Sequence, residues 1–96
     1  MEQKIQLTHP QGEKAVRIDK AKYDTMKKAI LKTLKKNAEL THTEMLKSIV
    51  DDFKKNEVKF VGAVGWYMEW VKLDLEANKI IERFTDKSKL KFRLGK

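Results

Sequence analysis

The stretch Gly62-Ala-Val-Gly-Trp-Tyr-Met-Glu-Trp-Val-Lys-Leu-Asp-Leu-Glu-Ala-Asn78, continued by Lys79-Ile-Ile-Glu-Arg-Phe84, decides the fold. At about 100° per residue its apolar side chains fall into two sectors. Val64, Tyr67, Met68, Val71 and Leu75 make one; Trp66, Trp70, Leu73 and Ala77 make a second, roughly opposite. Gly65, Glu69, Lys72 and Glu76 share a narrow polar strip between them. One apolar face serves a surface helix's own core. A second needs a cover, supplied by another part of the chain or by another molecule.

After Asn78 the period changes to two, so a strand follows the helix at once. Lys79 to Phe84 read as that strand, Thr85 to Ser88 as a turn, and Lys89 to Leu94 as its partner strand. Strict alternation directs Leu90, Phe92 and Leu94 inward and Lys89, Lys91 and Arg93 outward.

Upstream, two short alternating runs, Gln3–Leu7 and Lys14–Ile18, flank Thr8-His-Pro-Gln-Gly12. Pro10 supplies a fixed φ and Gly12 a permissive one, so the segment reads as a hairpin with His9 at the edge of its turn. Asp19 suits the N-cap of a helix to about Lys36. That helix should turn Tyr23, Met26, Ile30 and Leu34 to the core and Lys28, Lys32, Lys35 and Lys36 away from it. Thr41 and Glu44 have the spacing of a capping box, with Leu40 and Met45 placed for a hydrophobic staple. The second helix then presents Met45, Leu46, Ile49, Val50 and Phe53, and stops among Lys54-Lys-Asn56. His42 is expected at the surface. Gly62 and Gly65 each weaken the start of the third helix by roughly 1 kcal/mol relative to Ala, if helical, and mark a close neighbouring backbone.

A chain of 96 residues with 41% hydrophobic residues suits one small domain, and the absence of Cys removes disulfides and thiolate metal sites. No apolar run approaches the ~20 residues of a membrane span, and the start has no signal-peptide pattern, so a cytoplasmic protein is expected. The net charge of +8 is uneven. Lys20 to Lys36 carry +6 and Lys87 to Lys96 carry +5, which leaves −3 over the rest, while Gly62 to Asn78 carry −2. Catalysis is not expected: the two His are far apart, only Ser48 and Ser88 could be serine nucleophiles, and no phosphate loop or metal-ligand spacing occurs. No cofactor or metal is expected.

Three helices followed by a hairpin resemble a winged helix-turn-helix domain over about Lys20 to Leu94. The resemblance is carried by Glu39-Leu-Thr-His-Thr-Glu-Met-Leu46 and by Val71-Lys-Leu-Asp-Leu-Glu-Ala-Asn-Lys-Ile-Ile-Glu-Arg83. His9-Pro-Gln-Gly12, Gly65-Trp-Tyr67 and Leu73-Asp-Leu-Glu-Ala77 are more narrowly similar to small uncharacterised bacterial winged-helix proteins. The resemblance implies an α+β fold: a winged-helix domain over residues 19–96, a three-helix core with a C-terminal β-hairpin wing, and an extra N-terminal hairpin over residues 1–18 packed on it. It also implies a DNA-binding, transcription-regulator-like role, with the third helix in the major groove and the wing on the backbone or in the minor groove. Two departures matter. Many relatives have Gly where Lys79 stands, so Asn78 is expected in the left-handed position. The acidic third helix is a poor reader of a polyanion.

Contacts to nucleic acid are therefore expected from the wing, at Lys87, Lys89, Lys91 and Arg93. Lys28, Lys32 and Lys35 of the first helix and Lys72 of the third would add to them. The competing expectation is a protein-interaction or dimerisation module built on Trp66, Trp70 and Leu73, without DNA. Against that module stands the expectation that the N-terminal hairpin itself folds over the stripe and buries it, through Ile5, Leu7, Val16 and Ile18.

Overall fold

The computed structural model describes residues 3–95, in the order β1 (Lys4–Gln6), β2 (Arg17–Asp19), α1 (Lys20–Asn37), β3 (Glu39–Thr41), α2 (His42–Lys55), α3 (Val64–Ala77), β4 (Ile81–Asp86) and β5 (Lys89–Leu94). The architecture is α+β: three helices with two antiparallel sheets, one of β1 and β2 and one in the order β3-β5-β4.

The first hairpin pairs Ile5 with Ile18. Its turn closes where the Gly12 amide donates to the His9 carbonyl at 2.9 Å, with Gly12 at φ 76°. Leu7 and Ile18 enter the main core at 3% and 4% exposure, and the hairpin lies on α1. It also reaches α3, where the Thr8 amide bonds to Asp74, one turn from Trp70. Asp19 caps α1 by accepting from the Lys22 amide at 3.3 Å. Tyr23, Met26, Ile30 and Leu34 are all buried, as the 3.6-residue period requires.

Thr41 and Glu44 form the full capping box. The three residues before α2, which carry no local strand signal, pair across the fold: Glu39, Leu40 and Thr41 face Arg93, Phe92 and Lys91 as strand β3. That pairing depends on a partner about fifty residues away, which local propensity does not contain.

Helices α2 and α3 end alike. After α2, the Glu57 amide reaches the Lys54 carbonyl and the Val58 amide reaches the Phe53 carbonyl; after α3, Lys79 reaches Glu76 and Ile80 reaches Leu75. Both are Schellman motifs, and both put a non-glycine residue in the left-handed region, Glu57 at φ 53° and Lys79 at φ 59°. Asn78, expected there, instead stays at φ −90° and donates its side-chain amide to the Asp74 carbonyl at 2.8 Å. Gly62 is needed for its own backbone, at φ 120°, and a Cβ there would lie 2.7 Å from the Tyr67 ring. Gly65 meets only the Leu46 side chain, at 3.7 Å, rather than a neighbouring backbone.

The C-terminal hairpin turns through Lys87 and Ser88, both at positive φ, and β4 begins two residues later than its alternation indicates. Phe92 is fully buried, but Leu90 and Leu94 are 43% and 36% exposed, against expectation. A six-residue strand spans about 20 Å, and the core reaches β5 only at its middle.

One buried polar contact joins the layers. Asp74 of α3, 4% exposed, accepts from the Tyr23 hydroxyl of α1 at 2.6 Å and from the Thr8 amide behind β1 at 2.8 Å. Burial, then the bond to Asp74, pushes the Tyr23 phenol above its ordinary value of 10.0. In urea unfolding, Asp74→Ala should cost about 2–4 kcal/mol, because it strands two donors. Tyr23→Phe should cost about 1 kcal/mol, since Asp74 keeps the Thr8 amide. Lys79→Gly should raise stability by about 1 kcal/mol by relieving the left-handed residue.

Candidate nucleic-acid interface

The C-terminal hairpin splits the expected wing cations into two kinds. Lys91 is held by Glu39 at 3.2 Å and Asp86 at 3.1 Å, and these bonds, Asp86 first, raise its pKa above 10.5. Arg93 pairs with Glu82 across the hairpin, and its guanidinium lies 4.2 Å from the centre of the Phe84 ring. Both charges already have local partners. Lys87 and Lys89, at the turn, are exposed and make no ion pair with any of the described residues. The tip of the hairpin is thus its available cationic part.

On α1, Lys28 and Lys35 are exposed, while Lys32 bridges to Asp52 of α2 at 2.9 Å. Thr33, buried on the same helix, shares a hydrogen bond with Ser48, which gives that serine a packing role between α1 and α2.

Lys72 is not a surface cation. It is 3% exposed, its ammonium 4.5 Å from the centre of the Phe92 ring, and it donates to both oxygens of Glu69 at 3.1 and 3.2 Å. Arg83 approaches the Phe92 ring to 5.5 Å and pairs with Glu76 at 2.7 Å. His42, expected at the surface, is half-buried, with Nδ1 3.4 Å from Glu69. The strip of α3 expected to face a ligand therefore faces β4, β5 and the start of α2. Its charges answer one another. A lysine is retained there because the aromatic face and the Glu69 carboxylate offset its desolvation. The wheel already places Lys72 beside Met68 and Leu75; its charge is what made it read as exposed.

The opposite stripe of α3 is partly covered, with Trp70 packing in part against the core. Trp66 is 46% exposed, Trp70 and Leu73 are partly exposed, and the two indoles lie 6.4 Å apart. Tyr67 packs edge-on against both Trp66, at 4.9 Å, and Phe60, at 5.1 Å. A shallow cleft between the N-terminus of α2 and β5, lined by Thr41, His42, Glu44, Lys89 and Lys91, adjoins the hairpin. Glu44 sits in it as an anion, so the cleft does not favour phosphate. Among the described residues, no group of three His, Cys, Asp or Glu could hold a metal, and no helix is long and apolar enough to cross a membrane.

These features define a small α+β domain with an outward basic turn and one partly exposed apolar helix stripe. The chain belongs to a family of unknown function, DUF6958, whose model matches residues 4–92, from the start of β1 through all three helices and into β5. Comparison with curated proteins and with solved structures gives no significant match.

The capping box makes a pH prediction. The Thr41 amide, then its hydroxyl, holds the Glu44 carboxyl below its ordinary value of 4.5. A depressed carboxyl contributes stability above its unfolded pKa and loses it as pH falls through the folded one. Melting curves between about pH 7 and 3 should therefore show Glu44→Gln already weakened at neutral pH and less acid-sensitive than the parent below pH ~4.5. Parallel acid profiles for the two proteins would contradict this.

Proposed function

We propose that the chain is a winged helix-turn-helix protein that binds DNA through its phosphate backbone, without catalytic activity, in a transcription-regulator-like role. The order α1, β3, α2, α3, β4, β5, with β3 pairing on β5, supports the winged-helix reading. The observation that carries the binding mode is the position of Lys87 and Lys89, unpaired at the tip of a hairpin that projects beyond the buried Phe92. Lys28 and Lys35 are the first-helix cations available to add to them. Lys72 is withdrawn, Lys91 and Arg93 are reserve charges at most, and α3 offers no basic group on its partly exposed stripe.

Backbone neutralisation without base contacts gives salt-sensitive affinity and little sequence preference. Titrating labelled duplexes of two unrelated sequences at about 50 and 200 mM salt should give similar affinities that both weaken strongly at the higher salt. Lys87→Ala with Lys89→Ala should reduce the slope of log affinity against log salt by about 2. Lys72→Met, by contrast, should leave that slope unchanged. Absence of binding at the lower salt refutes the proposal.

A second reading rests on a separate observation. Trp66 at 46% and Val61 at 73% exposure give the start of α3 an apolar surface, of the kind that anchors protein contacts.

A further inference from the structure

We infer that the outer stripe of α3 is a weak dimer interface between two copies of this chain, packed antiparallel. The inference narrows the protein-contact reading of this stripe to one partner and does not depend on nucleic acid. Trp66, Trp70, Leu73 and Ala77 recur at intervals of four, three and four residues, the spacing of a two-helix seam. None of them is fully buried, although Trp70 packs in part against the core and the N-terminal hairpin meets the same helix through Thr8 on Asp74.

Size favours a second copy. With the two-fold axis passing between Val71 and Lys72, Trp66 faces Ala77 of the second copy and Trp70 faces its Leu73. Large thus meets small at both ends, which is how facing helices fill space without voids. A parallel pair would set Trp66 on Trp66 and Ala77 on Ala77, overfilling one end and leaving the other empty.

Charge agrees. The chain carries +8, so two copies repel through most of their surface. Gly62 to Asn78 carry −2, and Glu69 and Glu76 are already paired with Lys72 and Arg83 of the same chain. With Asp74 also buried on Tyr23 and Thr8, the stripe of Trp66, Trp70, Leu73 and Ala77 itself carries no charge, so two copies meeting on it set no like charges face to face there. The ends of α3 add to it: no acid stands in its first turn, no side chain caps its N-terminus, and no base stands in its last turn. An antiparallel copy brings each helix's carbonyl end toward the other's amide end.

Extent sets the strength. A 14-residue helix is about 21 Å long, and one helix pair falls short of the roughly 800 Å² per partner of a standard interface. The dimer should therefore dissociate in the micromolar range, about 10 µM.

Sedimentation equilibrium of the whole chain from about 1 to 500 µM brackets that value. The expected result is a reversible monomer–dimer equilibrium. Trp66→Glu, and separately Ala77→Trp, should weaken it at least about 30-fold, with unchanged circular dichroism. Because the chain has no Cys, direction can be read by cross-linking. A Trp66→Cys/Ala77→Cys variant treated with a short bismaleimide should give covalent dimer, and Trp66→Cys alone should give little. A parent that stays monomeric throughout, or a dimer that survives Trp66→Glu, overturns the inference. Efficient cross-linking of Trp66→Cys alone overturns the antiparallel arrangement. None of these outcomes bears on duplex binding, which is read in its own titration.

Discussion

The carboxylate of Asp74 is the constraint on which the arrangement depends. It sits on α3, nearly sealed from solvent, and it holds the Tyr23 hydroxyl of α1 and the Thr8 amide behind β1. A buried ionised group is tolerable only when its acceptor capacity is used. Here the two donors come from two other elements, so satisfying the charge also sets where those elements lie. The first hairpin is thereby attached at both ends: by Leu7 and Ile18 in the core and by this bond at the chain's return.

With that attachment made, the surface of α3 divides into three uses. Its core sector packs Met68, Val71 and Leu75. Its polar strip is consumed by β4, β5 and α2, through Lys72 on Phe92, Glu76 on Arg83 and Glu69 on His42. What remains partly outward is Trp66, Trp70, Leu73 and Ala77, with Trp66 the exposed member. A helix whose charges are spent internally has little left for phosphates, so any polyanion contact passes to the turn at Lys87 and to Lys89. The hairpin's other cations serve the hairpin itself, with Arg93 held by Glu82 and Lys91 by Glu39 and Asp86.

Much of this was legible in the sequence where the signal is local. Asp19, the Thr41–Glu44 box, the apolar positions of α1 and the bounds of β5 follow from capping and periodicity, and the structure agrees at each. The failures lie where tertiary partners decide. Strand β3 exists because β5 lies beside it. Lys79 turns left-handed, in place of Asn78, because the Asn78 side chain is better used on the Asp74 carbonyl. Lys72 and Asp74 occupy core-edge positions on the helical wheel, yet their charges place them outside in any reading by residue type. Leu90 and Leu94 alternate correctly, but the core does not extend to them. The candidate site was half legible: residue types identified the basic hairpin, while the pairing that leaves only Lys87 and Lys89 available needed the cross-strand acids in place.

The proposal turns on α3 being committed to structure and to its apolar stripe, and on the hairpin tip being where nucleic acid would bind. Backbone and indole NMR shifts of the isotope-labelled chain, followed during addition of a short duplex at low salt, test it most directly. The account predicts salt-sensitive movement concentrated at Asp86 to Leu90, with the signals of Trp66, Glu69 and Leu73 nearly still. Movement concentrated on Glu69 to Leu73, with a silent turn, would contradict it.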